Sequence, residues 1–118
     1  MQTTESYLIA GKTIGLSVAD TSHAAVTIEA ADPSANALHL VNTSTSEMMY
    51  VTVISSLITG TFAAAPDTAI PGDGTAGGIP ILSYGEMSIA GLRFPISITA
   101  ICSIAGPTLL AVTPITLL

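Results

Sequence analysis

Residues 94–118 read FPISITAICSIAGPTLLAVTPITLL, and how this uncharged stretch folds decides the architecture of the chain. An uncharged run longer than about 18 residues is a candidate membrane helix. Pro95, Pro107 and Pro114 interrupt this one, with Gly106 beside Pro107, and a proline in a helix interior costs about 3 kcal/mol or more. It also lacks an aromatic belt and a flanking cluster of positive charge. Period two accounts for it better. Ile96, Ile98, Ala100 and Cys102 line one face, while Ser97, Thr99 and Ser103 face away. Two strands joined by the turn Ala105-Gly106-Pro107 are expected, the second running from Leu109 to Thr113 and ending at Pro114.

The same alternation recurs toward the N-terminus. Ile14, Leu16 and Val18 oppose Thr13, Gly15 and Ser17, and Val26 and Ile28 alternate with Thr27 and Glu29. The turn Asp32-Pro33-Ser34 leads into Leu38-His39-Leu40-Val41. Asn42 to Glu47 reads as a polar hairpin loop before a strand from Met48 to Ile54. No long helix is signalled; a short helical turn is expected near Ser34–Ala37. Roughly seven or eight strands punctuated by turns predict an all-β chain, a single-domain β-sandwich or barrel of the jelly-roll or Ig-like kind. Residues 12–118 are assigned to this domain and residues 1–11 to an N-terminal arm.

Between Thr59 and Pro80 the character changes, with Gly60, Pro66, Pro71, Gly72, Gly74, Gly77, Gly78 and Pro80 forming a long Gly/Pro-rich loop. Loops of this length are often binding segments. It reads either as a surface loop, with a helical turn at Phe62–Ala65, or as an arm that orders against a neighbour. In the second case Ile70, Ile79, Ile81 and Leu82 are its anchors. The N-terminal arm would be anchored by Tyr7, Leu8 and Ile9. The candidate partner-binding residues are therefore Tyr7, Leu8, Ile9, Phe62, Ile70 and Ile79.

Only 8% of the 118 residues are charged, against about 25% in an average soluble domain. Lys12 and Arg93 are the only cations, and the net charge is −6. Nucleic acid and anionic membrane surfaces are therefore unexpected partners, because both need clustered Lys and Arg. A surface so poor in charge suits a protein whose surface is covered by others. The N-terminus carries no basic region or apolar signal core, which suggests a chain made in a cytoplasm.

Candidate chemistry is sparse. Cys102 is the single cysteine, so neither an intrachain disulfide nor a cysteine metal cluster is expected. It shares a face with Ile96 and Ile98 and reads as a buried small hydrophobe rather than a nucleophile. His23 and His39 have no partners at metal-ligand spacing. Asp67 and Asp73 do not match a calcium loop, and Gly72–Gly78 lacks the Lys-Ser/Thr of a phosphate loop. No catalytic residue, metal site or cofactor is expected, and the chain is read as non-enzymatic.

From Leu38 to Pro114 the sequence resembles small virion proteins of tailed bacteriophages, of the capsid decoration or cement type. The resemblance is carried by LHLVN at Leu38–Asn42, YVTV at Tyr50–Val53 and IPIL at Ile79–Leu82. The turn Gly85-Glu86, ISITAIC at Ile96–Cys102 and LLAVTP at Leu109–Pro114 complete it. It implies a β-sandwich that decorates a phage head in many copies or as a symmetric oligomer, with itself and a major capsid protein as partners. The implied location is the virion, assembled in the host cytoplasm. It carries over no individual binding residue. A neck, tail or fibre-base component is the alternative within the same class. A ligand- or carbohydrate-binding sandwich is the alternative outside it, although the absence of Trp counts against sugar stacking.

Overall fold

Ile96, Ile98, Ala100 and Cys102 are fully buried along one face of a seven-residue strand, as the period-two pattern requires. The computed structural model describes residues 7–55, 57–58, 61–62, 64–72, 74–104 and 107–118, with backbone alone at 57–58 and 61–62. In chain order the strands are β1 (Tyr7–Ile9), β2 (Ile14–Val18), β3 (Val26–Ile28), β4 (Ala37–Asn42), β5 (Met49–Ser55) and β6 (Leu57–Ile58). Then follow β7 (Thr61–Phe62), β8 (Ile79–Ile81), β9 (Glu86–Ala90), β10 (Ile96–Cys102) and β11 (Thr108–Leu117). No helix occurs among the described residues.

These strands form an open sandwich of two antiparallel sheets, with β6 and β7 as a separate two-stranded pair. In the first sheet β1 and β2 share one flank of β11, whose other flank pairs with β4, and β4 pairs with β9. The second sheet has the order β3-β10-β5-β8. Leu16, Val18, Leu38, Leu40, Leu110 and Val112 of the first sheet pack in one cluster with Ile28, Met49, Val51, Ile96 and Ile98 of the second. Each such side chain contributes about 1.5–3 kcal/mol of burial free energy. The barrel alternative fails because both sheets end in unclosed edges.

The lateral sides follow from the connections. β8 passes through the Leu82–Gly85 turn directly into β9, so those two edges share one side. On the other side, the Ala10 carbonyl after β1 accepts from the amides of Ala31 (2.8 Å) and Asp32 (3.1 Å) after β3.

β10 is buried on both faces, because the segment at 64–72 lies across the outside of the second sheet. Ala65 N donates to Ser97 Oγ (2.8 Å) and Thr68 N to Ser22 Oγ (2.9 Å). Thr68 Oγ1 lies 2.9 Å from Thr52 Oγ1 and 2.7 Å from Thr99 Oγ1, and Thr99 Oγ1 donates to the Pro66 carbonyl (2.6 Å). The hydroxyls that alternation turned away from the core are thus satisfied by this strap rather than by water. Gly78 N closes it with a bond to the Ala69 carbonyl (2.9 Å). The arm reading of the loop is corrected over these residues, which order against their own sheet.

Three further expectations change. Asn42–Glu47 is a crossing between sheets, not a hairpin, since β4 and β5 belong to different sheets. Its hinge is Asn42, fully buried, whose Nδ2 donates to the carbonyls of Glu47 (2.8 Å) and Ile81 (3.1 Å) while Oδ1 accepts from Ser44 N (2.9 Å). β11 does not stop at Pro114 but continues to Leu117. The Pro114 carbonyl accepts from Ala10 N at 2.9 Å. In an antiparallel strand the amide of a residue faces the same way as its carbonyl, so the missing N–H falls at the junction of β1 with β2. The Pro114 ring fills that junction, where a Cβ on Gly11 would come within 2.8 Å of Pro114 Cγ. Finally, Ser34–Ala37 is not helical. Asp32 and Ser34 form a side-chain-capped turn and Ala37 opens β4.

Candidate partner-binding edges

Each sheet leaves two edges, one of them shared by β1 and β2, and the other three are visibly blunted, whereas β2 has neither charge nor proline between Ile14 and Val18. β8 carries Pro80, which offers no N–H. β9 opens with the exposed carboxylate of Glu86. β3 is three residues long and runs into Glu29. Charge, proline and shortness are the usual devices against edge-to-edge pairing. β1 is equally short, but between Tyr7 and Ile9 it has neither a charge nor a proline.

Of the residues assigned to the N-terminal arm, Tyr7–Ile9 lie in an edge strand; residues 1–6 lie outside the described residues. Register fixes which amides of β1 are open. Ala10 N points at β11, where it meets the Pro114 carbonyl. Alternation then turns the N–H groups of Tyr7 and Ile9 away from β11, toward the open side. Leu8 and Ile9, on opposite faces of the strand, are 58% and 65% exposed.

Tyr7 is held differently. Its ring stacks on His39 of β4, with centroids 5.2 Å apart and planes 29° apart. His39 Nδ1 lies 3.2 Å from Ser88 Oγ, and Nε2 lies 3.6 Å from Glu86 Oε2, both on β9. Ser, His and Glu are the residue types of a nucleophile and its base. Here the imidazole contacts both through a flat outer sheet face, and the Glu86 contact is longer than a hydrogen bond. The cluster ties β1 to the sheet. No sequence pattern links His39 to Tyr7, since the contact depends on register across β11.

Two clefts open near the end of the sandwich where β4 begins. One of about 630 Å³ is lined by Glu29, Asp32, Leu92, Arg93, Phe94 and Pro95, and another of about 610 Å³ by Lys12, Ile14, Thr27 and Glu29. The Phe94–Pro95 peptide at the first is cis. The Asp32 carboxylate accepts from Ser34 N (2.9 Å) and Ser34 Oγ (2.7 Å). These bonds, the backbone one foremost, hold its pKa below the ordinary 3.8. Among the described residues no three His, Cys, Asp or Glu side chains gather as a metal site.

The remaining candidates are scattered. Ile70, in the strap, and Ile79, on β8, are 40% and 43% exposed and lie on the second sheet, away from Tyr7, Leu8 and Ile9. The side chain of Phe62 lies outside the described residues. Ile81, read as an anchor, is a core residue at 2% exposure, while Leu82 is exposed at the β8–β9 turn. Cys102 is buried with Sγ 3.5 Å from the Val18 carbonyl. His23 Nδ1 lies 2.7 Å from the carbonyl of its neighbour Ala24. Compared with protein-family models, with curated proteins and with solved structures, the chain matches none.

Proposed function

We propose that this chain is a non-enzymatic structural component of a virion, a decoration or cement protein that attaches to a phage head. The observation that supports attachment is the edge of β1, whose outward N–H groups and exposed Leu8 and Ile9 carry no charge or proline. An edge of this kind is completed by a strand from another chain: main-chain bonds supply affinity, and side chains on alternate faces supply specificity. The partner surface is a major capsid protein, and the virion setting rests on the sequence resemblance between Leu38 and Pro114.

In this role the protein acts by contact alone. Each copy bridges neighbouring capsid subunits and raises the barrier to their separation, which requires a rigid sandwich and an open edge rather than tuned protonation. Quantitative mass spectrometry of virus particles purified from cells that make the chain tests the assignment. Decoration requires hundreds of copies on the head. A closed ring of about a dozen or fewer would place it in a neck, tail or fibre base instead. Absence from the particles overturns the virion reading.

A further inference from the structure

The end of the sandwich where β4 finishes carries charge of one sign only. Asp20 follows Ala19, whose carbonyl accepts from Cys102 N (2.8 Å) at the end of β10. Glu47 lies just before β5, and its Oε2 accepts from Ser103 Oγ (2.6 Å). Glu86 opens β9 opposite Val41, with its side chain 67% exposed. No cation stands among these three carboxylates, because Lys12 and Arg93 line the clefts at the other end.

Two apolar side chains project from this acidic end. The turn from β8 to β9 leaves Leu82 65% and Tyr84 74% exposed. Tyr84 N donates to the Ser44 carbonyl (2.9 Å), Gly85 N to the Leu82 carbonyl (2.8 Å) and Asn42 N to the Gly85 carbonyl (2.9 Å). These bonds hold the turn to the crossing at Asn42–Glu47, so Tyr84 is pre-positioned and binding has little loop entropy to overcome. A single exposed apolar side chain needs no explanation. A Tyr and a Leu on one fixed turn, edged by unopposed carboxylates, have the make-up of an interface core with a charged rim.

We infer that this end of the sandwich docks a segment of another protein in which Arg or Lys stands beside an apolar residue. The apolar residue packs on Leu82 and Tyr84. The cation meets Glu86, and as Arg it also stacks on the Tyr84 ring while keeping N–H groups for the carboxylate. Charge decides the occupant. Nucleic acid and anionic lipid would face three carboxylates with no cation between them. A second copy supplies no unopposed positive charge, since Arg93 shares its cleft with Glu29 and Asp32, and Lys12 shares its own with Glu29. A basic segment does supply it, and rim charges of opposite sign speed encounter and fix register. β1 pairs with Ile115–Leu117, at the far end of β11, so both surfaces can be filled at once. Docking here needs neither the β1 edge nor a virus particle.

Selection from an mRNA-displayed library of random dodecapeptides tests this on the isolated chain. Peptides retained by wild type are counter-selected on Tyr84→Asn, which removes the ring and accepts the left-handed φ of 56° more easily than tyrosine. Leu82→Ser, at an exposed position, is a second counter-selection that leaves Tyr84 in place. Peptides kept by wild type and lost by both variants should be rich in Arg or Lys next to an apolar residue, and poor in Asp and Glu. One such peptide, followed by fluorescence polarisation, should bind Tyr84→Asn about tenfold or more weakly. It should bind Glu86→Gln about threefold more weakly and lose affinity as salt is added. Arg93→Gln, at the other end, should bind it as wild type does. The inference is overturned if no retained peptide depends on Tyr84 or Leu82, or if those that do carry no excess of Arg and Lys. Affinity indifferent to Glu86→Gln, or weakened as much by Arg93→Gln, overturns it equally.

Discussion

The hydroxyl oxygens of Thr68 and Thr99 meet at 2.7 Å in a buried contact, and through it the strap at 64–72 becomes part of the second sheet. Thr99 points outward from β10 and would otherwise be a solvated residue on a free sheet face. With Thr52, Ser97 and Ser22 it forms a set of hydroxyls that holds this strap. A face meant for water is converted into an interior without adding apolar bulk.

Thr68→Val keeps the shape but removes the hydroxyl between Thr52 and Thr99. Leaving buried Thr99 and half-buried Thr52 less satisfied costs about 1–3 kcal/mol. Denaturant unfolding should show that loss. Hydrogen exchange should become faster at Gly78 N, whose bond to the Ala69 carbonyl closes the strap, while β11 amides change little.

Asn42→Asp should harm the fold more than Asn42→Ala at neutral pH. The side-chain nitrogen of Asn42 donates to two carbonyls; a carboxylate there faces those oxygens with no proton to give and is buried. The buried acid therefore titrates above its unfolded value, so the charge-linked part of the destabilisation grows as pH rises past about 3.9 and is absent below it, where one of the two donated bonds is still missing. Stability measured against pH should fall for Asn42→Asp from acid toward neutrality while that of Asn42→Ala lacks this charge-linked fall.

Asp32 has the opposite sign. Its folded pKa lies below 3.8 because the ionised carboxylate accepts the Ser34 amide and hydroxyl. Its contribution is therefore present above 3.8 and lost as pH falls through the lowered value. Asp32→Asn keeps an acceptor oxygen and removes the titration. The stability gap between wild type and this variant should narrow on acidification, read by urea unfolding from neutral pH down to about 2.

Strands and core were legible because alternation is a local signal: Leu16 with Val18, Leu38 with Leu40, and Ile96 through Cys102 all bury as their period demanded. Connections were not, because their partners are distant in sequence. Asn42 looked like the start of a polar hairpin, yet it turns the chain between sheets only because the Ile81 carbonyl is there to accept its second bond. Pro114 looked like a strand terminator, yet its missing N–H meets the gap after β1. Thr68 carried no pattern at all. The candidate edge was half visible: Tyr7, Leu8 and Ile9 stood out as apolar residues near a terminus, but nothing local said that they pair with Ile115–Leu117. Tyr84 went unnoticed, since a left-handed φ at a tyrosine has no sequence signature.

The claim that the protein acts through its β1 edge is tested most directly by Ile9→Pro. The Ile9 amide points to the open side of β1, so proline there removes a donor from the edge while leaving the bonds to β11 in place. Occupancy of wild type and variant on particles stripped of the protein should be compared, after equal melting temperatures confirm that both are folded. The account predicts that Ile9→Pro loses about tenfold or more in affinity. Equal occupancy by a folded Ile9→Pro protein would contradict it.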